Sequence, residues 1–126
     1  MSPLFRRNEE KATRKAAARV EIERLRELPV DDLALDLLPG LGPEGPTRGT
    51  SVRVQQLCEY LLREHPGAGT METLNLTVAV NEALDMLEDA GLVSPISVQR
   101  TPVWKITRLG RSALADGDVR ERLRRR

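Results

Sequence analysis

The side chains able to carry covalent or acid–base chemistry are few and far apart. His65 is the single histidine and Cys58 the single cysteine. Cys58 falls on an apolar helical stripe and His65 beside Pro66 at a helix end, so the two build no nucleophile–base pair. A lone thiol forms neither an internal disulfide nor a cysteine-based metal cluster. The adjacent acids Asp31-Asp32 and Glu88-Asp89 diverge by about 100° on a helix and cannot close on one substrate. The glycine-rich stretch 39–46 lacks the Gly-Lys-Ser/Thr ending of a phosphate loop. No catalytic residue, metal site or cofactor is expected, and the expectation is a non-catalytic protein.

What remains is charge chemistry. Lys and Arg number 20 against 19 acids, a net +1 that hides strong local imbalance. Residues 71–99 carry five acids and no base, whereas residues 100–126 carry nine bases and three acids. Residues 1–28 are basic as well, with eight bases against five acids. Arginine forks suit phosphates, so clustered arginines raise nucleic-acid contact as one possibility. With only Phe5, Tyr60 and Trp104 as aromatics, stacking of bases on an aromatic platform is nearly excluded. Apolar residues at 40% and charged residues at 31% are the balance of an ordinary globular chain.

The elements that would position these groups follow from periodicity. Residues 8–28 contain no Gly or Pro and favour a helix ending at Leu28-Pro29, with Ala18, Ile22, Leu25 and Leu28 on one side and a solvated first half. Asp31 or Asp32 can cap a short helix through Leu33, Leu37 and Leu38, ended by Pro39-Gly40, and residues 39–46 then read as a linker. Val54, Leu57, Cys58, Leu61 and Leu62 mark an amphipathic helix ending at His65-Pro66-Gly67. Thr77 can cap another, buried through Val80, Leu84 and Leu87 and stopped by Gly91. After Gly91 the period becomes two: Val93, Ile96 and Val98 lead to a turn near Arg100-Thr101-Pro102, and residues 103–106 return as a strand. Thr107 caps a helix through Leu109, Ala113 and Leu114, Gly117 ends it, and Asp118 with Glu121 makes a capping box for a short arginine-rich tail helix.

The string Asn81-Glu-Ala-Leu-Asp-Met-Leu-Glu-Asp-Ala-Gly-Leu-Val93, a short hairpin, and Trp104-Lys-Ile-Thr-Arg-Leu-Gly-Arg-Ser-Ala-Leu114 resemble a bacterial winged-helix domain. The likeness is to the broad superfamily that includes MarR-like and PadR-like regulators and covers roughly residues 50–115. It implies a mostly α fold with a small antiparallel β-hairpin, a winged-helix domain preceded by an N-terminal helical arm. The expected organisation is an arm, short helix and linker over 1–46, the winged helix over 47–116 and a tail over 117–126. Between His65 and Thr77 the second helix of such a domain must be short or absent.

Two functions follow from the resemblance and the charges. In a DNA-binding transcriptional regulator the helix from Thr77 lies in the major groove of double-stranded DNA, with Thr77, Val78 and Asn81 at the bases. Phosphate contacts would come from Arg100, Lys105, Arg108, Arg111, Arg124, Arg125 and Arg126 on wing and tail, in a homodimer by analogy with the superfamily. Alternatively, Glu82, Asp85, Glu88 and Asp89 form an acidic face that, with the N-terminal arm, holds a protein partner or adaptor complex. Without a partner, the arginine-rich ends are solvated tails, His65 meets a helix dipole, Cys58 is core and Trp104 packs the wing on the helices. Leu4 and Phe5 read as a loose terminus, with a partner or membrane anchor as the sharper alternative. The start lacks an apolar run of signal-peptide length and no run spans a bilayer, so the expected location is the cytoplasm.

Overall fold

In a computed structural model, residues 3–125 are described, with the side chains of residues 3–8 and of Val98 outside that description. Helix α1 runs over Pro3–Glu27. It starts earlier than its composition alone indicates, and Pro29 stops it by disfavouring helical dihedrals at Leu28. Ala18, Ile22 and Leu25 are buried, while residues 9–17 are exposed, so only the second half is anchored. Lys15 and Arg19 reach Glu72 at 3.8 and 3.3 Å, fastening the helix to the middle of the chain.

Helix α2, Val30–Leu37, buries Leu33, Ala34 and Leu37. Pro29, not an aspartate, occupies its N-cap; Asp31 and Asp32 sit in the first turn, where their charges favour the helix dipole. The helix does not end at Pro39: a 3-10 turn continues over Leu38–Leu41, because proline tolerates the first positions of a new turn. Nor is the stretch to residue 46 a solvated connection. Leu38, Leu41 and Gly45 are buried, and a Cβ on Gly45 would lie 2.2 Å from the Gly40 carbonyl oxygen, so this glycine permits the chain to fold onto itself.

Helices α3 (Val54–Leu61), α4 (Thr70–Leu74) and α5 (Thr77–Asp89) follow. The apolar stripe of α3 is buried as its spacing predicts, through Leu57, Cys58 and Leu61. The second helix of the region exists and is short, five residues long. Asn75 and Leu76 keep right-handed helical dihedrals, so α4 runs almost directly into α5. No extended residue remains to host a cap, and Thr77 is the first residue of α5 rather than its N-cap. Val80, Ala83, Leu84 and Leu87 are its buried face, packed chiefly on α2 and also on α3. The core therefore draws on α2 as much as on the later helices.

Strands β1 (Val93–Val98) and β2 (Thr101–Ile106) form an antiparallel hairpin with Val93 opposite Ile106 and Val98 opposite Thr101. The turn is at Gln99-Arg100, earlier than the position suggested by Pro102, which instead lies in β2. Val52 adds a third edge that no periodicity announces: its N–H and carbonyl exchange hydrogen bonds with Trp104 at 2.8 and 2.7 Å. Trp104 is thereby held against the helices at 7% exposure. Helix α6, Arg108–Asp116, is capped by the Thr107 hydroxyl, which accepts from the Gly110 N–H at 3.0 Å. Gly110, not Leu109, faces the core; Leu109 is exposed. Helix α7, Val119–Arg125, is docked through buried Val119 and Leu123. The chain is mostly α with one antiparallel hairpin, preceded by an N-terminal helical arm.

Candidate interaction surface

The most distinctive surface lies along α4 and α5. Met71 and Leu74 lie about one turn apart on α4, and Val78, Glu82, Asp85 and Asp89 follow at helical spacing on α5, the two helices being joined by a turn in which the Asn75 and Leu76 N–H groups bond back to Glu72 and Thr73. Met71 is 76% exposed, Leu74 50% and Val78 70%, which is unusual for three large apolar side chains within eight residues. Asn81, Glu82, Asp85, Glu88 and Asp89 are exposed too. Among the described residues, the four carboxylates take part in no ion pair or hydrogen bond. The α4–α5 surface thus carries exposed apolar side chains on α4 and at the start of α5, and acids along the rest of α5. In sequence the helix between His65 and Thr77 is expected to be short or absent, which hides Met71 and Leu74; the signal was their one-turn spacing on a short helix.

Of the three residues expected to touch bases, Val78 and Asn81 point outward, but Thr77 is half-buried. It lines a small cavity of about 300 Å³ with Val54, Cys58 and Leu74, between α3, α4 and α5. Burial pushes the Cys58 thiol up to about 11, and a hydrogen bond from Thr77 opposes this only in part. The thiol stays protonated and inert at neutral pH.

The expected phosphate-binding cations fall in separate places. Arg100 is at the hairpin tip. Six-residue strands put it about 20 Å from the hairpin base. Lys105 lies near that base, opposite Ser94. The Thr107 N–H donates to the Leu92 carbonyl at 3.0 Å and its hydroxyl to the Gly91 carbonyl at 2.6 Å. Arg108 and Arg111 therefore start beside the C-terminal end of α5, with Lys105 and away from Arg100. All four are exposed and, among the described residues, unpaired.

The arginines of α7 turn largely to their own chain. Arg120 reaches Asp32 at 2.8 Å and Asp31 at 3.8 Å, Arg122 reaches Asp118 at 3.0 Å, and Arg125 bonds Glu121. Arg124 lines an open groove of about 770 Å³ with Asp31, Met86 and Asp89. Arg126 lies outside the described residues, as do the side chains of Leu4, Phe5, Arg6 and Arg7. His65 Nε2 sits 3.8 Å from the Glu21 carboxylate on α1. The Arg24 guanidinium, hydrogen-bonded at 2.6 Å, holds the Glu21 carboxyl below the usual range.

The hairpin tip is strained. Gln99 and Arg100 have φ of 48° and 67°, the left-handed pair of a type I′ turn, which favours Asn-Gly. Replacing both (Q99N/R100G) is expected to stabilise the chain by about 1 kcal/mol, read as a higher urea midpoint at unchanged slope. An unchanged or lower midpoint would show that the tip carries no strain.

Among the described residues no helix is long and apolar enough to cross a membrane. No protein-family profile matches the chain, and no curated protein or solved structure is significantly similar to it.

Proposed function

We propose that this chain is a non-catalytic winged-helix protein that works as a protein-interaction module, with the α4–α5 strip as its docking surface. The winged-helix reading is supported by α5 ending in Gly91-Leu-Val, by the hairpin that follows, and by the Thr107-capped helix after it. The observation that carries the function is the strip itself: exposed Met71, Leu74 and Val78 followed by unpaired Glu82 and Asp85. In a groove-reading helix these acids would approach phosphates, where each carboxylate adds repulsion and no base on α5 offsets it. A protein partner with a cationic amphipathic helix matches both halves, apolar on apolar and basic on acidic.

The test is binding by fluorescence anisotropy of two probes, a labelled helical peptide of leucine and lysine repeats and a labelled 20-base-pair duplex. At ~50 mM salt the peptide is expected to bind and the duplex not, with peptide affinity falling as salt screens the pairs. Duplex binding with a steep salt slope, and no peptide binding, would overturn the reading.

A second reading has one specific observation in its favour. The strained turn places the unpaired Arg100 at the wing tip, and strain of this kind concentrates at functional positions. A wing-first grip on double-stranded DNA would use Arg100, then Lys105, Arg108 and Arg111 at the base. Replacing them would flatten the salt slope by about one for each phosphate no longer neutralised.

A further inference from the structure

The cavity between α3, α4 and α5 has chemically sorted walls. It measures about 300 Å³, at the lower end of the ~300–1,000 Å³ that small-molecule sites occupy. Well-packed helices interdigitate and leave few voids larger than a water. Here α4 buries no residue of its own, and the short Thr73 that it sets against the cavity leaves the space open. Val54 from α3, Ala68 from the connection before α4, and Leu74 from α4 give an apolar wall. Buried Cys58 and half-buried Thr73 and Thr77 form the floor. The Thr73 hydroxyl donates to the Gly69 carbonyl at 2.9 Å and the Thr77 hydroxyl bonds the Cys58 sulfur, whose thiol keeps its proton at neutral pH. The floor is therefore neutral and its hydroxyl protons are engaged.

Charge enters this lining only at the mouth, where exposed Glu59 stands in the last turn of α3. That turn carries no base, and the end of a helix favours a cation. Arg63, one turn further on, is held elsewhere: its guanidinium lies over the Tyr60 ring at 4.2 Å and bonds the Tyr60 carbonyl at 2.8 Å. Among the described residues, no ion pair or hydrogen bond reaches the Glu59 carboxylate. No Lys, Arg or His lines the cavity. We propose that this cavity binds a small organic cation, an amine carrying one aromatic or branched apolar group, with the ammonium at Glu59 and the apolar group between Val54, Ala68 and Leu74. A carboxylate ligand would meet Glu59 and find no base, and a neutral alcohol forgoes the ion pair. Such a ligand needs no partner docked along α4 and α5, so either reading can fail without the other.

Phenethylamine, phenethyl alcohol and phenylpropanoate, titrated into the isotope-labelled full chain at neutral pH and followed by amide chemical shifts, test the site. The amine is expected to saturate with a millimolar Kd, to move the amides of residues 54–59 and 68–77, and to bind about fivefold more tightly than the alcohol. The carboxylate is expected to give no saturable shift. Glu59→Gln should bring the amine down to the affinity of the alcohol and leave the alcohol unchanged, because only the ion pair is lost. Ala68→Leu, which fills the space, should weaken amine and alcohol alike by about tenfold or more. Glu59→Gln lies at an exposed position and decides the matter by itself should the leucine variant not fold. Equal affinity of amine and alcohol for the wild-type chain, or shifts confined to residues outside 54–77, overturns the proposal. So does the absence of saturation by any of the three, or an amine preference that survives in Glu59→Gln.

Discussion

Alanine at Gly110 is expected to cost about 3 kcal/mol or more, a large share of the ~5–15 kcal/mol that holds a domain together. A Cβ there would lie 2.1 Å from the Leu92 carbonyl oxygen, 3.1 Å from its carbon and 2.7 Å from Ile106 Cγ1. Two of those atoms are backbone and cannot rotate aside. The same Leu92 oxygen accepts the Thr107 N–H, so displacing it also breaks the bond that seats α6 at the hairpin base. The glycine is thus required where helix, strand and the end of α5 converge. Gly69 is the control: an added Cβ meets nothing within 4 Å, and G69A changes only a cap position, costing about 1 kcal/mol or less. Urea denaturation of the two variants measures the difference, and equal midpoints would contradict this packing.

Reversing charge on the strip is expected to separate stability from function. The last turn of α5 contains no base, while Glu88 and Asp89 stand there against the helix dipole. Carboxylates at that end cost stability, at about 0.3–1 kcal/mol each when exposed. E82K/D85K/E88K should therefore leave the thermal midpoint unchanged or slightly raised. Its affinity for the leucine–lysine peptide should fall by about 100-fold, or roughly 2.7 kcal/mol, because three attractions become repulsions. Loss of binding together with a collapsed midpoint would mean that the acids serve the fold. Retained affinity would mean that the peptide docks elsewhere.

Much of the scaffold was legible in the sequence, where a repeated physical rule applied. The α3 and α5 stripes follow helical spacing, Gly91 and Gly117 occupy left-handed positions at φ of 77° and 70°, and Thr107 caps as a threonine before a helix should. What stayed hidden depends on partners distant in sequence or on a single pairing. Val52 bonds to Trp104 as one residue, too short to leave a period. Arg120 meets Asp32 across 88 positions, so the expected tail helix was legible in sequence but its docking on the body was not. Pro102 drew the expected turn one step along because proline favours turns, yet a hairpin edge strand accommodates it.

The candidate surface was half legible. The acids of α5 stand out in a segment of 29 residues without a base. The apolar end did not, because sequence cannot distinguish an exposed Met71 or Leu74 from a buried one when the helix that carries them is expected to be short or absent. The phosphate-binding set failed to converge for a related reason. Spacing along the chain does not reveal that Arg100 stands at the tip of a hairpin and Arg108 at its base, or that α7 spends several guanidinium groups on Asp32, Asp118 and Glu121.

Amide hydrogen exchange of the full chain, with and without saturating leucine–lysine peptide, tests the central claim most directly. Protection is predicted to rise over residues 71–89 and to stay unchanged at the hairpin tip and across 105–111. Protection confined to residues 99–111, with the α4–α5 amides unaffected, would contradict the account and move the working surface to the hairpin and the start of α6.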